Sequence, residues 1–112
     1  MKKAIVNALG QSHKMIKKVV CEGDVVVDAT AGNGNDTVFL AKIVGDLGKV
    51  YSFDIQKCAI DNTRKRLECE NLLNIELIND SHEFIENYIN KEVSCVMFNL
   101  GYLPGGDHTV ST

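Results

Sequence analysis

Four apolar runs recur along the chain, with helix-period segments between them. The run at 25–29 opens with three consecutive valines and is continuous rather than alternating, as in a strand buried on both faces. Runs of similar length follow at 49–54 and 75–79. The last, 93–98, is almost wholly apolar, which predicts a place inside a sheet. Between them, residues 37–44 read as a helix ending at Gly45, a residue suited to a C-terminal cap. Ile60, Thr63, Arg64 and Leu67 recur at helical spacing within 56–70, and Phe84, Ile85, Tyr88 and Ile89 do so after Asp80. The order β-α-β-α-β-α-β with short connections predicts a parallel α/β sheet with helices on both faces. The 25–29 strand should be central, with 49–54 and 75–79 to one side and 93–98 to the other. Ahead of these runs, Ile5, Leu9, Ile16, Val19 and Val20 suggest an amphipathic helix over 4–20, or two short ones broken near Gly10.

Composition narrows the picture modestly. A chain of 112 residues has room for one domain, and 45% hydrophobic with 24% charged residues suits a soluble globular fold. No run is long enough to span a membrane, and the start lacks a cleavage site of the secretory kind, so the chain is expected to be cytoplasmic. Cys21, Cys58, Cys69 and Cys95 form no C-x-x-C pair and sit in apolar or helical surroundings, so buried free thiols are expected, with no metal site. Net charge is −3, but residues 1–20 hold five lysines and no acid, leaving −8 on the rest. That basic arm suits either a solvated helix face or local contact with a phosphate backbone.

Four clusters of polar residues fall where the four strands end, and parallel sheets bind ligands outside the carboxyl ends of their strands. Asp28 is followed by Gly32-Asn33-Gly34 and then by Asn35-Asp36-Thr37 opening a helix. The glycines let a backbone approach a ligand, and a helix N-terminus favours an anion. Asp54 closes the next strand with Gln56 beyond it, an acid suited to paired hydrogen bonds with ribose hydroxyls or, alternatively, to capping the next helix. Asp80-Ser81-His82-Glu83 combines hydrogen-bonding groups for an adenine edge with a D-x-x-E capping box. The glycine-rich stretch from Asn99 to His108 supplies an amide and an aromatic side chain, Tyr102.

The strings Asp-Ala-Thr-Ala-Gly-Asn-Gly-Asn-Asp-Thr (28–37), Phe-Asp-Ile-Gln (53–56), Ser-His (81–82) and Phe-Asn-Leu-Gly-Tyr-Leu-Pro-Gly-Gly-Asp (98–107) together resemble the small class I S-adenosylmethionine-dependent methyltransferases labelled putative rRNA methylases. The resemblance covers nearly the whole chain, and the Asn-Leu-Gly-Tyr-Leu-Pro string is its most specific part. It implies a Rossmann-like fold of the class I methyltransferase type and S-adenosylmethionine as cofactor. Asn33, Asn35, Asp54, Gln56, Ser81 and His82 would contact that cofactor, beside Asp28, Gly32, Gly34 and Asp36, with Asn99 closing the methionine end. Bacterial members of the family have been assigned to tRNA, where they methylate the amine of 5-aminomethyl-2-thiouridine at the wobble position. The implied partner is thus the tRNA anticodon loop, with rRNA as the other RNA candidate. Family members continue with further strands and helices, so the sheet here is expected to be incomplete at its C-terminal end.

On this reading Asn99 and the Leu100 carbonyl orient the acceptor amine, Tyr102 stacks on the base, and Asp107 or His108 takes the proton. Two other readings remain open. An NAD-type oxidoreductase domain shares the turn and the acid at position 54, but Thr37 stands where its third glycine belongs. A non-catalytic cofactor-binding or interaction module is the second. Finally, the 93–98 strand is expected to lie on an open edge with no charge, proline or bulge to protect it, so the chain is expected to form a homodimer through that edge, aggregate or show low stability, and to lack methyltransferase activity.

Overall fold

The computed structural model describes residues 4–7 and 12–98. Its strands are β1 (Ala4–Asn7), β2 (Val25–Asp28), β3 (Lys49–Phe53), β4 (Ile75–Ile78) and β5 (Cys95–Phe98). Its helices are α1 (Ser12–Val19), α2 (Asn35–Val44), α3 (Lys57–Glu70) and α4 (Ile85–Tyr88), the last preceded by a single 3-10 turn, His82–Phe84. All strands pair in parallel in the order β1-β5-β2-β3-β4. The central place of β2, with β3 and β4 to one side and β5 to the other, is the arrangement that the apolar runs predict.

Successive side chains of the central strands enter two separate cores. Val26, Val50, Cys95 and Met97 pack on one face with Ile16 and Val20 from the α1 segment and Leu40, Ala41 and Val44 of α2. Val27, Tyr51, Phe53 and Val96 pack on the other face with Ile89, which follows α4. This period-2 division is why runs such as Val25-Val26-Val27 are continuous: both faces are covered. Gly45 ends α2 with φ +68° and an N–H donated to the Ala41 carbonyl oxygen. At Gly48 a Cβ would lie 2.4 Å from that of Val44 and 2.6 Å from the Asp24 carbonyl oxygen, so only glycine lets β3 start against α2.

Three expectations need correction. Residues 4–7 form a strand rather than the first part of a helix; only the second half of the 4–20 segment is helical. This strand lies along β5, with Ala4 opposite Cys95 and Ile5 opposite Val96, so β5 is an interior strand and its edge is not open. The backbone groups along β5 require partners, and a nearby apolar stretch with two β-branched residues can provide them. The case for a homodimer through that edge falls with it. The cysteines also differ: Cys21, Cys58 and Cys69 are exposed, and only Cys95 is buried. Burial pushes the Cys95 thiol up to about 11. Cys58 and Cys69 lie on α3 outside the stripe Ala59, Ile60, Thr63 and Leu67 that faces inward. Among the described residues, no helix is long and apolar enough to cross a membrane.

Candidate cofactor site

The ends of β2, β3 and β4 converge on the glycine turn. Asp54, just past β3, accepts the Gly32 N–H at 3.0 Å on one carboxylate oxygen and the Gln56 N–H at 2.9 Å on the other. Its backbone carbonyl accepts from the Asn79 side-chain amide at 3.0 Å, tying in the end of β4. One residue therefore joins all three strand ends. Each carboxylate oxygen keeps a second lone pair, so the bonds to Gly32 and Gln56 leave capacity for two ligand hydroxyls. The capping and ligand-binding readings of Asp54 are compatible for this reason.

The turn is held from below as well. The Ala31 N–H reaches the Phe53 carbonyl oxygen at 2.8 Å. Thr63 of α3, fully buried, donates its hydroxyl to the Gly32 carbonyl oxygen at 3.3 Å. Gly34 has φ +92°, and a Cβ there would stand 3.3 Å from the Thr63 Cα, so both its conformation and its packing call for glycine. Gly32 differs. Its φ is +58°, and a Cβ would meet nothing nearer than the Thr30 carbonyl oxygen at 4.0 Å. The turn is thus tightly packed beneath Gly34 and open above Gly32, as a cradle for a ligand must be. Asn33 is exposed and accepts the Asn35 N–H at 3.1 Å, so the start of α2 is partly capped from within the turn.

Asp28 departs from its expected place. It is 0% exposed, and its carboxylate accepts the Thr37 hydroxyl at 2.7 Å and the Thr30 N–H at 3.1 Å. It supports the turn from inside and presents no surface to a ligand. Burial is the main force on its pKa, pushing it up to about 7, against the hydrogen bond from Thr37. Thr37, in the position of the third glycine of a dinucleotide fingerprint, is occupied by this bond, which a glycine could not make.

The third cluster is closed by a different cap. Ser81, not Asp80, accepts the Glu83 N–H at 3.1 Å. Asp80 instead accepts the Ser81 N–H at 2.7 Å and the Tyr88 hydroxyl at 2.6 Å, bonds that hold its carboxyl below the usual range and push Tyr88 up. Tyr88 stands edge-on to Phe53, ring centroids 5.7 Å apart. Ser81 and His82 are half-buried and Gln56 is exposed. Thr63 and Tyr88 brace this region from positions that a reading of the sequence does not reach, and the Ile55 side chain stands 72% exposed between Asp54 and Gln56. Ile55 alone leaves a local trace, an apolar residue between two polar ones just past a strand. Asn99, Tyr102 and Asp107 lie outside the described residues, as do Leu100 and His108.

Comparison with known proteins points the same way. The chain is 39% identical over 117 residues to the chloroplastic "tRNA (mnm(5)s(2)U34)-methyltransferase" of Arabidopsis thaliana, covering 90% of this chain and 41% of that protein. Among solved structures it is similar to a "putative rRNA-methylase" from Clostridium thermocellum, with TM-score 0.83 and 59% identity, over 95% of this chain and 57% of the other. A "putative methyltransferase" from Streptococcus mutans, in complex with SAH, matches with TM-score 0.75 and 43% identity, over 85% and 52% of the two chains. The chain thus spans about half the length of these relatives. Residues 50–112, more than half of the chain, match the family described as "Putative rRNA methylase", and the chain belongs to that family.

Proposed function

We propose that this chain forms the S-adenosylmethionine-binding part of an RNA methyltransferase that N-methylates the 5-aminomethyl group of the tRNA wobble uridine. The observation that carries the reading is Asp54, which joins the glycine turn to two strand ends while keeping acceptor capacity for a ribose. Ile55 offers an exposed apolar face beside it, and Ser81 and His82 stand at the next strand end for the adenine edge. Gly32, Asn33, Asn35, Asp36 and Gln56 complete the cofactor side. The relatives supply the chemical class, and the substrate in the Arabidopsis relative's name supplies the wobble uridine.

The bound cofactor supplies a methyl group activated by its sulfonium. The acceptor amine must be neutral to attack, so its ammonium form would first give up a proton; the N–C bond would then form as the C–S electron pair returns to sulfur. Positioning is the main contribution a protein makes to such an in-line displacement. Asn99 and the Leu100 carbonyl orient the amine, Tyr102 stacks on the base, and Asp107 or His108 takes the proton. An anticodon-loop base is already single-stranded, so presenting it costs little unstacking.

Titration calorimetry with S-adenosylmethionine, its demethylated product and NAD tests the cofactor. Asp54→Ala should weaken S-adenosylmethionine binding by roughly 2–4 kcal/mol, because two charge-assisted hydrogen bonds are lost and they do not add fully. Unchanged affinity would leave Asp54 as a cap alone. A methylation assay on tRNA lacking the terminal methyl group, using the longest natural form of the protein, tests the substrate. There Asn99→Ala should lower turnover far more than cofactor affinity. Methylation of rRNA but not tRNA would overturn the substrate assignment.

A further inference from the structure

Beneath the glycine turn lies a buried chain of three polar groups, Asp28, Thr37 and Ser52, each 0% exposed. Thr37 Oγ1 lies 2.7 Å from the Asp28 carboxylate and 2.7 Å from the Ser52 hydroxyl. Each hydroxyl has a single proton. Thr37 gives its own to Asp28, so Ser52 must donate to Thr37. Every proton in the chain then points toward the carboxyl group, and the Thr30 N–H points there too. That arrangement suits an ionised carboxylate.

Its surroundings oppose the charge. The carboxyl is fully buried, and the charged groups acting on it are Asp36 in the first turn of α2 and Asp54 just past β3, both negative. On β5, the residue opposite Asp28 is Met97, which brings no charge. The hydrogen bonds oppose the burial without cancelling it, and the carboxyl is pushed up to about 7. A positive charge placed above the turn would tip that balance.

We propose that Asp28 is a positioning residue that discriminates ligands by charge: its buried carboxylate favours a cationic sulfonium above the glycine turn over the neutral thioether of the same shape. The inference rests on the reading that the turn holds S-adenosylmethionine. That cofactor and its demethylated product differ by one methyl group and one positive charge; the sulfonium also makes the ligand's own amino group more acidic, so the part due to Asp28 is the difference between the wild-type and Asp28→Asn profiles. Attraction across a dry interior is weakly screened, and Asp28 therefore acts without contact. By linkage, the ligand that favours the ionised form binds more tightly as pH rises and releases a proton on binding. Transfer of the methyl group removes the charge that Asp28 favours, which helps the product to leave.

Calorimetry of the full chain with both ligands from pH 6 to pH 8, in two buffers of different ionisation enthalpy, tests this. If the cation lowers the Asp28 pKa by about one unit, the ratio of the two affinities rises up to about tenfold as pH increases. Near pH 7 S-adenosylmethionine releases a fraction of a proton and the product releases less. In Asp28→Asn the ratio rises less with pH than in the wild type. A wild-type ratio that rises no more steeply than that of Asp28→Asn, with both ligands bound, overturns the inference and leaves the cofactor assignment standing. Failure of either ligand to bind at any pH overturns both. Should Asp28→Asn fail to fold, Thr37→Val decides: loss of its hydroxyl donor must move the transition to higher pH, and an unmoved transition overturns the role of Asp28.

Discussion

Asp28 shows how a residue can matter to a site without facing it. Its carboxyl is held at about 7 in the folded chain against 3.8 in the unfolded one, mainly by burial. Between those values the folded state keeps a proton that the unfolded state has lost, so this group makes the fold less stable as pH rises from about 4 to about 7 and has no further effect above. The slope approaches roughly 1.4 kcal/mol per pH unit in the middle of the window. Urea midpoints from pH 4.5 to 7.5 should therefore fall more steeply with pH in the wild type than in Asp28→Asn. Parallel profiles would mean that Asp28 is ionised throughout. The sequence marks Asp28 as a strand-end acid, but its neighbours along the chain fit a ligand contact or a buried support equally. Only the bond from Thr37, nine residues along the chain, and the bond between Thr37 and Ser52, fifteen residues further, decide between them.

At the scale of elements, packing against α2 and α3 fixes where β3 begins and where the turn sits. Gly48→Ala places a methyl group within 2.4 Å of the Val44 Cβ and should destabilise the fold by about 1–3 kcal/mol, read as a lower melting temperature. An unchanged melt would show that β3 can shift away from α2 at no cost. Helix α1 offers a different kind of test. Lys14, Lys17 and Lys18 are exposed at i, i+3, i+4 spacing while Ile16 and Val20 are buried, so the lysines share one outward face. If that face meets RNA phosphates, replacing all three by glutamine should reduce the slope of log affinity against log salt by up to about 2 for a single strand. An unchanged slope would make it a solvated face, the other reading that the lysine pattern allows.

At the scale of the molecule, β1 turns β5 into an interior strand. Alternate residues of an edge strand point their N–H groups toward the neighbour, so proline at Ile5 and at Val6 should differ in effect. The one whose N–H serves β5 should loosen β1, bare an apolar edge and produce concentration-dependent light scattering. Two inert substitutions would show that β5 does not depend on β1. The apolar runs themselves determined four strands, their parallel pairing and the central place of β2, because continuous apolar segments joined by helix-period ones admit few other packings. The place of Asp54 just past β3 was legible too, since the acid and its strand end are adjacent in the chain. What only the tertiary structure decided depends on partners far along it: the strand at Ala4–Asn7 exists against Cys95–Phe98, Gly34 is confined by Thr63, and Asp80 is engaged by Tyr88 rather than by a cap. Local pattern specifies which groups a segment must bury or pair, and the fold supplies the distant groups that meet those needs.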